Sequence, residues 1–209
     1  MSGGRAFCDL AIPKGTVGPY PAPRIDMRGG TWTIGALSAG ALLMAALAAP
    51  AARSQTAALE DFSGAWRLDG TRQVQRMDDA IDRVVDQMNL LIREIARGEI
   101  HRRIDPEHRV VIRVDDEQHV RLGYDDWGPQ RLRLGGAAVA TRGPDGNDIR
   151  MSLRFERGRL IARQNAGEGR RTNIFSLSAD GSRLTMSSRI GAPQLPADIR
   201  YRLSYRRAR

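Results

Sequence analysis

From Asp61 onward the apolar positions of the chain follow two different periods. Phe62, Trp66 and Leu68 mark a first short strand. Val74, Met77, Ile81, Val84, Val85, Met88, Leu91, Ile92 and Ile95 then recur every three or four residues, which predicts one long amphipathic helix over residues 71–97, closed by Gly98. Its opposite face carries Arg72, Arg76, Asp79, Asp82, Arg83, Asp86, Arg93 and Arg97. Packing on a core is the expected role of the apolar face. The mixed charges of the polar face argue against a helix lying on a membrane.

After Pro106 the period shortens to two. Val110-Ile112-Val114, Val120-Leu122-Tyr124, Leu132-Leu134, Ala138-Ala140, Ile149-Met151-Leu153-Phe155, Leu160-Ala162, Ile174 to Leu177, Leu184-Met186-Ser188-Ile190 and Ile199-Tyr201-Leu203-Tyr205 read as strands. Turn residues separate them at Asp115-Asp116-Glu117, Arg157-Gly158, Gly167-Glu168-Gly169 and Ala179-Asp180-Gly181, about every 8–12 residues. The expected fold is mainly β: an antiparallel meander of about ten strands forming a barrel or a two-sheet clam, with the helix inserted after the first strand. Arginines fill the alternate positions, so one face should be apolar and the other should face water.

The segment before this domain has another character. Arg28 precedes an apolar run from Trp32 to Ala49, followed by Pro50-Ala51-Ala52. This is the layout of a secretory signal over residues 27–52, cut near Ala51 or Ala52 after the triplet Ala49-Pro50-Ala51. The run is somewhat shorter than the roughly 20 residues a spanning helix needs, and Gly35, Ser38 and Gly40 interrupt it. Cleavage, leaving no stable membrane anchor, is expected over anchoring, and export to the periplasm or beyond follows. Residues 1–26, with Pro13, Pro19, Pro21 and Pro23, read as an extended leader or as lying upstream of a start at Met27; residues 53–60 read as a short linker and 61–209 as a single domain. The one cysteine, Cys8, precedes the signal, so the mature chain would lack disulfides, thiolate metal sites and a cysteine nucleophile.

A net charge of +9 raises the question of nucleic acid. Lys14 is the only lysine among 33 basic residues, and acidic residues are interspersed throughout. A solvated mixed surface is the plain reading; an acidic envelope component or anionic lipid headgroups are the alternative charged partners, and nucleic acid is not expected. Catalytic and cofactor sites are not expected either. His101 and His108 flank an Arg-rich connector and His119 starts a strand, so a shared zinc site would require a coincidence of loops. Asp115-Asp116-Glu117 and Asp125-Asp126 sit in turns, the serines lie in no nucleophile elbow, and Gly167-Glu168-Gly169 joins strands instead of opening a helix.

Phe62-Ser63-Gly64-Ala65-Trp66-Arg67-Leu68 resembles the Gly-x-Trp opening of the calycin superfamily, which includes lipocalins and intracellular fatty-acid-binding proteins. The resemblance implies that Gly64 turns the chain under a barrel and that Trp66 plugs its closed end. The order of strand, helical insertion and further strands is closer to the fatty-acid-binding arrangement, although that family has a pair of short helices where one long helix is expected here. The whole chain also resembles a group of secreted bacterial proteins with this opening and a Tyr-Arg-rich last strand. By analogy with lipocalins, a last-strand arginine stacks on Trp66, and Arg202 is assigned that place. The Arg-x-Tyr pair that holds a fatty-acid carboxylate is absent from the last strand, so a buried carboxylate clamp is not expected. Binding of a small lipophilic ligand is the implied function. The interior candidates are Tyr124, Met151, Leu153, Phe155, Phe175, Met186, Tyr201 and Tyr205, with plain core packing as their other reading. The alternative is a non-catalytic envelope module that uses its arginine-rich surface.

Overall fold

The computed structural model describes residues 55–125, 127–143 and 146–208. The segments expected as leader and signal, residues 1–52, lie outside the described residues.

Ten antiparallel strands form one sheet: β1 (Gly64–Leu68), β2 (Arg109–Val114), β3 (His119–Tyr124), β4 (Trp127–Arg133), β5 (Val139–Arg142), β6 (Asp148–Glu156), β7 (Arg159–Ala166), β8 (Gly169–Leu177), β9 (Arg183–Gly191) and β10 (Ile199–Arg207). Their order is β4-β3-β2-β1-β10-β9-β8-β7-β6-β5. Every neighbour is a sequence neighbour except β1 and β10, whose pairing brings the two ends of the domain together. The outermost strands also meet. Leu134 bridges Leu153, Trp127 Nε1 donates to the Arg142 carbonyl at 3.0 Å, and Thr141 Oγ1 donates to Gln130 Oε1 at 2.8 Å. The sheet is thereby rolled into a nearly closed barrel, which leaves little free edge.

Alternation places Val110, Ile112, Val120, Leu122, Met151, Leu153, Leu160, Phe175, Met186 and Leu203 inside, each fully buried. One end of this mainly apolar interior is polar, with Glu107, Asn173 and Ser188 buried too. They are tolerated there because they pair with one another and with their neighbours.

The helical insertion is a pair, α2 (Arg72–Val85) and α3 (Leu90–Arg103), in place of one helix over 71–97. Asn89 stops the run: its side chain accepts the Leu91 backbone N–H at 3.0 Å and caps a new helix. Arg93 Nη2 donates to the carbonyls of Asp86 at 2.7 Å and Met88 at 3.2 Å, occupying acceptors left free at the end of α2. Gly98 lies within α3. Arg97 reaches back to Asp82 at 3.1 Å and Asp86 at 2.8 Å, so charges read as a solvated face partly hold the two helices together. The break also splits the apolar stripe. Met77, Ile81, Val84 and Val85 are buried, whereas Leu91 and Ile95 are 87% and 75% exposed. The segment expected as a linker holds a short helix, α1 (Gln55–Glu60), with Leu59 buried.

Candidate functional site: the polar end of the barrel interior

The two ends of the barrel differ in chemistry. At one end the chain enters β1 through Gly64, whose φ of +150° lies where a side chain is strained. Trp66 follows, fully buried, with its Nε1 donating to the Phe62 carbonyl at 3.0 Å. Phe62 meets Phe155 edge to face at 6.0 Å. Arg207 closes this end: its guanidinium lies 4.4 Å from the Trp66 ring centroid, and it donates to the carbonyls of Ser63 and of Asp61. This corrects the assignment of Arg202. Trp66 pairs directly with Arg207, so both side chains leave the same face, whereas Arg202 pairs with Ser187 on the outer side.

The opposite end, where β1 runs into the helices, gathers polar side chains from four strands and a connector. Arg171, near the start of β8, contacts Glu107 Oε1 through Nη2, and the same nitrogen donates to Tyr201 Oη at 2.6 Å. Its Nε faces Asn173 Oδ1 at 3.2 Å and Ser188 Oγ at 3.3 Å. Ser188 Oγ donates to Asn173 Oδ1 at 2.9 Å, and Asn173 Nδ2 donates to Tyr124 Oη at 3.1 Å. The register explains the meeting, because Asn173, Ser188 and Tyr201 stand opposite one another on β8, β9 and β10. Tyr124 stacks on Trp127 at 6.1 Å and on Phe175 at 6.5 Å, linking the network to the apolar interior below.

Burial controls the electrostatics. It pushes the Glu107 carboxyl up from its ordinary value, with the Arg171 charge pulling against it. Burial likewise raises Tyr201 to about 12 and pushes Tyr124 and Tyr205 well above the ordinary phenol value, with the Glu107 charge adding to each. The phenols stay neutral hydrogen-bonding groups. At this end of the barrel, Glu107 Oε2 and Tyr205 Oη are buried without a hydrogen-bond partner among the described residues.

Of the interior candidates, Met151, Leu153, Phe175, Met186 and Tyr205 are fully buried, Phe155 is partly buried, and Tyr124 and Tyr201 retain 7% exposure beside the network. Sequence reading missed Glu107, Arg171, Asn173 and Ser188. The available signal was parity: Arg171, Asn173 and Phe175 share one face of β8, which makes Arg171 an inward arginine. The histidines are dispersed, with His101 against Asp82 at 3.2 Å and His119 against Asp116 at 2.9 Å.

Gly64, the buried Trp66 beneath an arginine, and a meander interrupted by helices after its first strand are now all in place. The architecture is calycin-like. No protein-family model matches the chain, and no curated protein matches its sequence. Solved structures similar to it include fatty-acid-binding protein 1 of Echinococcus granulosus, at 10% identity over 72% of this chain and 99% of that one, with a TM-score of 0.45. A secretary abundant heat soluble protein from Ramazzottius varieornatus is similar at 10% identity over 71% and 96%, with a TM-score of 0.47. Human cRBP IV is similar at 16% identity over 70% and 98%, with a TM-score of 0.41.

Proposed function

We propose that this calycin-like protein binds a small lipophilic ligand at the helix end of its barrel, as an exported binding protein and not as a catalyst. The observation that carries the reading is the gradient inside the barrel. A buried apolar wall of Phe175, Met186 and Leu203 leads to a hydrogen-bonded polar cluster, and Arg171 in that cluster keeps 22% of its side chain accessible. Apolar walls with a few oriented polar groups are what amphiphile recognition requires. The cluster is held by mutual hydrogen bonds and has no nucleophile paired with a base, which favours binding over catalysis. Export rests on the sequence of residues 27–52. The test is native mass spectrometry of the protein purified from its envelope fraction, followed by denaturation and extraction. A discrete lipophilic adduct is expected; a bare polypeptide mass with an intact fold counts against the reading.

A second reading is favoured by one feature of the exterior. Arg109, Arg67, Arg206 and Arg183 stand in register on β2, β1, β10 and β9 and form an exposed row of four arginines. Asp69 lies 2.9 Å from Arg206, and Asp125 accepts the Arg109 backbone N–H at 2.7 Å. Adjacent like charges on a sheet are unfavourable until an anion neutralises them, and guanidinium groups suit carboxylates. An acidic envelope polymer fits the row. Retention on immobilised polygalacturonate that falls in an Arg67→Ser/Arg183→Ser variant would support this role, and unchanged elution would remove it.

A further inference from the structure

The inward-facing arginine of the polar cluster already has its carboxylate. Arg171 Nη2 is engaged by Glu107 Oε1 and Tyr201 Oη, and its Nε by Asn173 and Ser188. A ligand carboxylate entering here would place a second buried negative charge beside Glu107 or expel Glu107 from its pair, and both are costly away from water. An ammonium head fares no better. The Arg171–Glu107 pair is neutral as a unit, so an added cation would be left buried and uncompensated.

What the cluster offers instead is a pair of buried atoms without a partner among the described residues, Glu107 Oε2 and Tyr205 Oη. The first, while ionised, can only accept, and the second can donate or accept. Glu107 is 6% exposed and Tyr205 fully buried, so water does not freely satisfy them. Leu68 of β1 stands opposite Tyr205 on β10, and its N–H donates to the His108 carbonyl at 2.9 Å, so Tyr205 and the segment that carries Glu107 flank the same end of β1. A hydroxyl, which donates one hydrogen bond and accepts others, complements this arrangement without adding charge.

We propose that the lipophilic ligand presents an uncharged hydroxyl to Glu107 and Tyr205, and that Glu107 acts as a built-in carboxylate that excludes fatty acids. This rests on the ligand-binding reading above and specifies its substrate class. The experiment titrates the full chain, stripped of bound lipid, with 1-decanol, decanoate and methyl decanoate at about pH 8, where a free carboxylic acid is ionised, using calorimetry. Decanol should bind about tenfold or more tightly than either the acid, which brings charge, or the ester, which lacks a donor. Glu107→Gln should reverse the order of acid and alcohol by freeing the Arg171 charge, and Tyr205→Phe should weaken decanol about threefold or more while leaving decanoate unchanged. The wild-type comparison stands without the variants. Decanoate binding as tightly as decanol, or the ester matching the alcohol, would overturn the proposal while leaving a lipophile-binding barrel. Binding of none of the three would overturn both.

Discussion

The guanidinium of Arg207 covers the Trp66 ring at 4.4 Å while donating to the carbonyls of Ser63 and Asp61, so the last strand caps the entrance of the first. The contact joins residues 141 positions apart in a chain whose other strand neighbours are local. It ties the two ends of the domain together at this end of the barrel.

Replacing Arg207 by Ala should therefore cost about 1–2 kcal/mol, as a cation–π contact and charge-assisted hydrogen bonds are lost together. Arg202→Ala, on the outer face, should stay within about 0.5 kcal/mol. Urea midpoints of the two variants provide the comparison, and equal losses would refute the assignment of Arg207.

Gly64 and Arg207 should be energetically coupled. A Cβ at Gly64 would lie 2.7 Å from Arg207 Nη1, and the backbone there has φ of +150°. Gly64→Ala should cost about 1–3 kcal/mol from backbone strain, plus a clash that disappears once the arginine is gone. In a double-mutant cycle the combined loss should be smaller than the sum of the single losses.

The buried Glu107 should leave a signature in the pH dependence of stability. Its folded pKa is raised above the ordinary 4.5 by burial, so the folded chain holds a proton more tightly than the unfolded chain does. The corresponding stability is fully present below the ordinary value and is lost as pH rises through the folded one. Wild-type stability relative to Glu107→Gln should consequently decline as pH increases from 4 to 8. A difference that rises over this range would show the carboxyl to be depressed.

The external arginine row leads to an unusual expectation for a charge removal. Arg67 has Arg109 on one side and Arg206 on the other. Arg67→Thr should stabilise the protein at low salt, by about 0.2–1 kcal/mol, through relief of like-charge neighbours. The gain should shrink as salt screens the row. Thermal melts at two ionic strengths test this, and destabilisation at low salt would contradict it.

The division of the helical segment is testable through two apolar residues of α3. Ile100 is fully buried and Leu91 is 87% exposed. Ile100→Ala should cost about 2–4 kcal/mol, while Leu91→Gln should stay within about 0.5 kcal/mol. Similar losses would restore a single helix with a continuous core face.

Much of the fold could be read from the sequence because its determinants are local. Strict alternation in segments such as Ile149-Met151-Leu153 and Tyr201-Leu203-Tyr205 commits each to one buried face, and turn pairs such as Arg157-Gly158 fix where the chain reverses. The helical pair was less legible. Met88 and Ile92 carry the apolar period across the break, and only the capping side chain of Asn89 marks it.

By itself, the sequence determined that this is an antiparallel β protein with a helical insertion after its first strand, because side-chain periodicity depends only on neighbours along the chain. The resemblance of Gly64-Ala65-Trp66 to the calycin opening pointed to Trp66 as the plug of the closed end. Tertiary structure alone decided which arginine covers that tryptophan, since the answer lies in the register between β1 and β10. It also decided that Glu107, Arg171, Asn173, Ser188 and Tyr201 form one buried network. These residues come from distant segments, and an arginine on a strand looks the same in sequence whether it faces water or a buried carboxylate. Closing the barrel supplies that difference, because it turns Arg171 inward against Glu107, its largely buried counter-charge.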